Sequence, residues 1–211
     1  EHFVDDHSEK RRKQGFKGFK KYLAGRAKAA GLGPPSITNE LKEQWMALYP
    51  PGRIEYEEAI GPDGRHGRWL RTLPVAVLEG DTLFVHAGLS EAVAGMSIAD
   101  INAEVRSELA AYDATRQYML DSGLIPPHVG LADMMVVYRE LREPVPELAP
   151  LAEADTWLIH SSEGPLWYRG AARVVSDGLD QAASGAGGDE RARKQHRRPV
   201  AQRGVFDECA C

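Results

Sequence analysis

The stretch Thr82-Leu83-Phe84-Val85-His86-Ala87-Gly88-Leu89-Ser90 runs from apolar and β-branched residues straight into a histidine, then into a turn of small residues. A strand that ends in an imidazole places a nitrogen donor at the rim of a sheet, where a metal ion or a phosphoryl group can reach it. Just upstream, residues 74–79 form a second apolar run, and Gly80-Asp81 between the two can supply the positive φ of a tight hairpin turn. The expectation is an antiparallel hairpin of residues 74–79 with 82–85, set inside a sheet so that Val75, Val77, Leu83 and Val85 are buried and His86 lies at the rim.

Helical spacing governs the chain on either side. Residues 11–30 carry Phe16, Phe19, Leu23 and Ala27 at helical intervals among lysines and arginines, an amphipathic helix weakened by Gly15, Gly18 and Gly25. Its basic face reads as solvated rather than as a phosphate or lipid contact. Residues 31–35 stop it, a second helix begins near Thr38 with Leu41, Trp45 and Leu48 on one side, and Tyr49-Pro50-Pro51-Gly52 ends that one. After the hairpin, Ser97 and Asp100 form a capping pattern ahead of Ile98, Ile101, Val105, Leu109 and Tyr112, so a long helix runs toward Leu120. Pro126 and Pro127 break it, residues 131–141 form another, Pro144, Pro146 and Pro150 mark a loop, and residues 156–160 read as a short strand. Residues 177–183 read as helical. No internal repeat is visible at solenoid or propeller periods.

A chain of 211 residues, 43% hydrophobic and 27% charged, can bury a core of ordinary composition. Its formal charge of -5 argues against a general nucleic-acid binder and leaves small or protein-borne phosphoesters as possible substrates. Cys209 and Cys211, separated by one residue, are poorly placed to bridge each other, and no cysteine-histidine set has the spacing of a zinc site. No apolar run has the length of a membrane span, and residues 1–21 are charged rather than signal-like. Localisation stays open between the cytoplasm and, given a signal peptide upstream, the periplasm. The absence of a Gly-x-Ser-x-Gly elbow, a phosphate-binding Gly-x-x-x-x-Gly-Lys loop and a His-Glu-x-x-His helix removes the common serine-hydrolase, nucleotide-triphosphatase and zinc-protease readings.

Three further segments accompany the histidine turn: Tyr49-Pro50-Pro51-Gly52, Gly61-Pro62-Asp63-Gly64-Arg65-His66-Gly67-Arg68-Trp69-Leu70-Arg71, and Glu163-Gly164-Pro165-Leu166-Trp167-Tyr168-Arg169-Gly170. In that order and company, the chain resembles the calcineurin-like metallophosphoesterases, most closely the bacterial Shewanella-like serine/threonine protein phosphatases. The resemblance runs from about residue 49 to residue 181, densest over 61–90 and 164–170 and looser over 97–150. It implies an α/β fold, part of a sandwich of two sheets flanked by helices, with a helical insertion at about 97–150. It also implies a parent enzyme that hydrolyses phosphomonoesters, phosphoserine or phosphothreonine in proteins, with two divalent ions of manganese, iron or zinc. Such ions sit about 3.5–4 Å apart and activate a water for in-line attack.

The ligand motifs of that family are incomplete here. His86-Ala87-Gly88-Leu89 matches its His-Gly-Gly-Leu turn, with Ala87 in place of a glycine. Its Asp-x-His-Gly, Gly-Asp-x-x-Asp-Arg-Gly and Gly-Asn-His-Glu motifs are absent: Gly80-Asp81 is followed by Thr82-Leu83, Asn39 precedes Glu40 without a histidine, and Asp5-Asp6-His7 lacks the glycines. The resemblance therefore implies a C-terminal portion over residues 1–184, its N-terminal half lying upstream of Glu1, followed by a divergent tail over 185–211.

Within this portion His86 is the expected metal ligand. Arg169 is either the phosphate clamp, because a guanidinium offers a planar donor pair to phosphoryl oxygens, or a surface arginine beside a buried Trp167. His196, the second and weaker candidate metal ligand, falls near the place of the family's final Gly-His-Thr motif, but among charged neighbours such as a reading-frame disturbance produces. Residues 185–198 carry almost no apolar side chains and are expected to be mobile. Arg68 and Arg71 read as exposed charges around Trp69, an aromatic anchor in a loop that enters the hairpin, and His2, His7, His66, His128 and His160 as structural or exposed. No catalytic residue is expected within the chain itself, nor stable metal binding by it alone. Two functions stay open: the C-terminal part of a metal-dependent phosphatase, inactive by itself, or a non-catalytic module of the same fold that binds an anion or a partner protein.

Overall fold

Ser97 starts the longest helix as its spacing predicts: its Oγ accepts the amide of Asp100 at 3.1 Å and lies 2.7 Å from the Asp100 carboxylate. That helix is one of several in a computed structural model that describes residues 3–170. In chain order the described elements are α1 (Ser8–Ala29), α2 (Asn39–Leu48), α3 (Arg53–Ile60), α4 (Arg65–Leu70), β1 (Ala76–Glu79), β2 (Thr82–Val85), α5 (Glu91–Ala94), α6 (Ile98–Asp121) and α7 (Leu131–Arg139). A 3-10 stretch, Pro146–Thr156, follows. The helix expected over 177–183, the tail over 185–211, His2 and His196 lie outside the described residues.

Two apolar clusters hold these elements. Phe16 and Phe19 of α1 pack with Trp45 of α2 and Ile54 of α3. The glycine at position 15, which costs helix propensity, has a packing role: a Cβ there would stand 2.8 Å from Ile54 and 2.9 Å from Trp45, so α1 can approach α2 and α3 only without one. The larger cluster joins Met119 of α6, Met134 and Met135 of α7, and Leu148, Leu151, Ala154 and Trp157 around the 3-10 stretch. A phenolic bond, Tyr22 Oη donating to the Leu124 carbonyl at 3.0 Å, ties α1 to the end of α6.

The hairpin forms where the sequence places it, with Ala76 opposite Val85, Val77 opposite Phe84, Leu78 opposite Leu83 and Glu79 opposite Thr82. Gly80 takes a φ of 61°, the left-handed value the turn needs. Its burial differs from the expectation. Val77 and Leu83 are exposed and Val75 and Val85 only half-buried, because among the described residues no third strand and no helix covers the outer end of this two-stranded sheet. Val77 with Phe84 leaves one face apolar and open, and Leu78 with Leu83 does the same on the other, at 38–60% exposure.

Other corrections follow from local geometry. Residues 156–160 are not a strand: the 3-10 stretch runs to Thr156, and the amides of His160 and Ser161 then turn back onto the Trp157 carbonyl. The amides of Leu158 and Ile159 go to the two oxygens of Glu108 on α6, at 2.7 and 2.9 Å, which takes the donors a neighbouring strand would have used. The loop expected around Pro144, Pro146 and Pro150 becomes that 3-10 stretch, with proline at its start where no amide is needed. Residues 65–70, read as part of a loop, form α4, and α7 ends at Arg139 rather than Leu141.

Candidate functional site

The strand that carries His86 ends one residue before it, and the turn beyond is held from across the chain. The amide of Ala87 donates to the carbonyl of Pro165 at 3.0 Å, and Ser90 Oγ donates to the carbonyl of Glu163 at 2.7 Å. Gly88 lies flat against Tyr168, where a Cβ would stand 3.2 Å from the phenol ring. The Trp-Tyr-Arg-Gly turn is fixed in its turn by Trp167 Nε1 donating to the Ile159 carbonyl at 2.8 Å. Thus the two segments that carry the resemblance most densely lie side by side.

His86 is exposed and faces a groove of about 720 Å³ between the hairpin, α6 and residues 159–166. The groove is mostly apolar, with Val77, Phe84, Val105 and Leu109 in its walls, and His160 also lines it. Spacing alone had set His160 apart as structural or exposed, and its place beside this groove had no signal in sequence.

Arg169 does not line the groove. It is exposed, 56% exposed Trp167 beside it is not the buried neighbour anticipated, and its Nη1 reaches only the carbonyl of Tyr168 at 3.4 Å. Its guanidinium is therefore available at the surface of the same turn. Arg71, in contrast, is structural: it bonds both oxygens of Asp113, at 2.6 and 2.7 Å, and the carbonyls of Ile60 and Gly67. Arg68 is exposed and bonds the Asp63 carbonyl, and Trp69 beside it is exposed rather than an anchor. His7 is exposed, and His66 packs edge-on to Phe3.

A metal ion needs several converging donors. Among the described residues no group of three or more histidine, cysteine, aspartate or glutamate side chains comes together. His86 and His160 do not make such a set, so the described residues do not by themselves fit the two-ion centre that the resemblance implies. No protein-family model, curated protein or solved structure matches the chain. The family reading rests on the motifs quoted above.

Proposed function

We propose that this chain is the C-terminal part of a metal-dependent phosphoesterase acting on phosphomonoesters, with phosphorylated serine or threonine of proteins as the substrate class. In this reading Arg169 is the phosphate clamp and His86 the single ligand-type residue contributed by the described part, with turnover requiring a longer polypeptide. The observation that supports it is the bond from Ala87 to Pro165, which sets the histidine turn against the Trp-Tyr-Arg-Gly turn although the two are far apart in sequence. The groove beside His86 and the open faces of the hairpin fit a domain whose remaining strands come from elsewhere.

The alternative, a non-catalytic module that binds an anion or a partner protein, draws on the absence of a converging ligand set among the described residues. One experiment separates the two. Reading the coding sequence upstream of Glu1 is expected to show in-frame Asp-x-His and Gly-Asn-His-Glu motifs, and a longer polypeptide that includes them should hydrolyse a chromogenic phosphomonoester with manganese. An upstream sequence without those motifs, or a longer protein without turnover, removes the phosphoesterase reading.

A further inference from the structure

A second cavity, of about 280 Å³, opens between α3, α6 and the turn that leads into α7, and its lining is charged where the groove is apolar. Three arginines reach it: Arg53, Arg71 and Arg116. Two are already matched by carboxylates, Arg71 by Asp113 and Arg53 by Glu57, whose Oε1 accepts Arg53 Nε at 2.6 Å. Arg116 is different. It is half-buried, its Nε leans on the Val129 carbonyl at 3.4 Å, and no carboxylate pairs with it among the described residues.

His128 completes the lining, and it is held there at a conformational cost. Its φ of 68° lies in the left-handed region, and it is the one non-glycine residue among those described to adopt a positive φ. Two side chains from the N-terminal part keep it so. Tyr49 Oη donates to its carbonyl at 2.9 Å, and Glu57 Oε2, a buried oxygen without an aligned hydrogen bond, lies 3.1 Å from its Nδ1. Burial, with the negative charges of Glu57 and Asp133 adding to it, pushes the Tyr49 phenol up to about 12, so the phenol keeps its proton for that bond. A strained histidine positioned by a carboxylate, beside an uncompensated guanidinium in a cavity, is a pre-organised set of donors.

We propose that this cavity binds the phosphoryl group of a small phosphate monoester or of free phosphate. Arg116 offers the planar pair of donors, and the Arg53 guanidinium and the His128 imidazole offer others from different walls, which suits three phosphoryl oxygens better than the two of a carboxylate. Ile60, Pro62 and Val129 leave an apolar wall for a short organic group. The site shares Ile60, Arg71 and Tyr112 with the walls of the groove beside His86, but no residue with the His86 turn or with Arg169.

Calorimetry on the 211-residue chain, with inorganic phosphate, glycerol phosphate and acetate as separate probes, tests the proposal. Saturable binding of a phosphate probe is expected, weakened tenfold or more by Arg116→Met and unchanged by Arg142→Met at an exposed position outside the cavity, with circular dichroism confirming that both variants fold. Tighter binding of glycerol phosphate assigns the site to a monoester, and tighter binding of inorganic phosphate assigns it to the free ion. On the unmodified chain, the ring resonances of His128 should shift as phosphate is added, a readout that holds even if Arg116→Met fails to fold. Acetate binding as tightly as phosphate, binding indifferent to Arg116→Met, or His128 resonances unmoved at high phosphate would overturn it.

Discussion

The carboxamide of Asn102 stands beside Ala76 as a neighbouring strand would. Its Oδ1 accepts the amides of Val75 and Ala76, at 2.8 and 3.1 Å, and its Nδ2 donates to the Ala76 carbonyl at 2.8 Å. A peptide-shaped side chain on α6 thereby satisfies the outer edge of β1 at its base, and it is what anchors the hairpin to the helical body. Asn102→Ala should lower stability by about 1–3 kcal/mol through the unpaired edge groups. Hydrogen exchange should show the amides of Val75 and Ala76 losing protection first, and unchanged protection there would contradict this anchoring.

Glu108 gives a pH dependence with a definite sign. Burial holds its carboxyl above the ordinary value, the amides of Leu158 and Ile159 oppose that, and Glu104 adds to it. The folded chain therefore binds this proton more tightly than the unfolded one. The contribution to stability is full below the ordinary carboxyl range and is lost as pH rises through the raised value. Glu108→Gln should be less stable throughout, by about 1–3 kcal/mol, because one of the two amides loses its acceptor. Urea unfolding of both proteins from about pH 4 to pH 8 should show the gap widest at the acid end and narrowing upward. A gap that widens with pH would reverse the assignment.

Gly164 is buried where a Cβ would run into the carbonyl of Leu158, and its own carbonyl accepts the amides of Trp167 and Tyr168. Gly164→Ala should cost about 2 kcal/mol or more by forcing the turn apart. The same change should loosen Tyr168 from Gly88 and so separate the two turns that carry the proposed site. Thermal melts, read beside hydrogen exchange at the Ala87 amide that bonds Pro165, would register both effects. A melt unchanged from the parent would mean that the turn can relax around the extra methyl.

The hairpin tip predicts an asymmetry between position and hydrophobicity. Leu78 and Phe84 are 57% and 60% exposed, so Leu78→Thr and Phe84→Thr should alter stability by no more than about 0.5 kcal/mol while reducing self-association in sedimentation. Ala76, 1% exposed at the base, should not tolerate Ala76→Asp, which buries a charge without a partner. Comparable losses at Leu78 and Ala76 would show that the tip is covered in solution.

What the sequence made legible was local. The Gly80 turn, the Ser97 cap and the stop at residues 49–52 each depend on a few adjacent residues, and each appears as read. The helix α4 escaped notice because Gly61, Gly64 and Gly67 look like a loop. At Gly64 and Gly67 the absence of a Cβ instead lets α4 press onto the carbonyls at the end of α3. Residues 156–160 have strand-like composition, but Glu108, some fifty positions earlier, takes the backbone donors. The charged cavity was hidden for the same reason: Arg53 and Glu57 are an i,i+4 pair on α3, but Arg116 on α6 and His128 beyond it come from separate elements, and no spacing rule brings them to that pair. The closeness of the histidine turn to residues 163–168 could not have been read from either segment alone, because the bond from Ala87 to Pro165 joins positions far apart in sequence.

The two tyrosine hydroxyls that reach across the chain, Tyr22 to the Leu124 carbonyl and Tyr49 to the His128 carbonyl, join units whose own cores are assembled from near neighbours in sequence. Each core can therefore nucleate early and independently, while the join waits for residues 102 and 79 positions apart to meet. Assembly of the chain is then gated by its latest and least local step, and an opening confined to that seam would release the first helices as one cooperative unit without melting either interior.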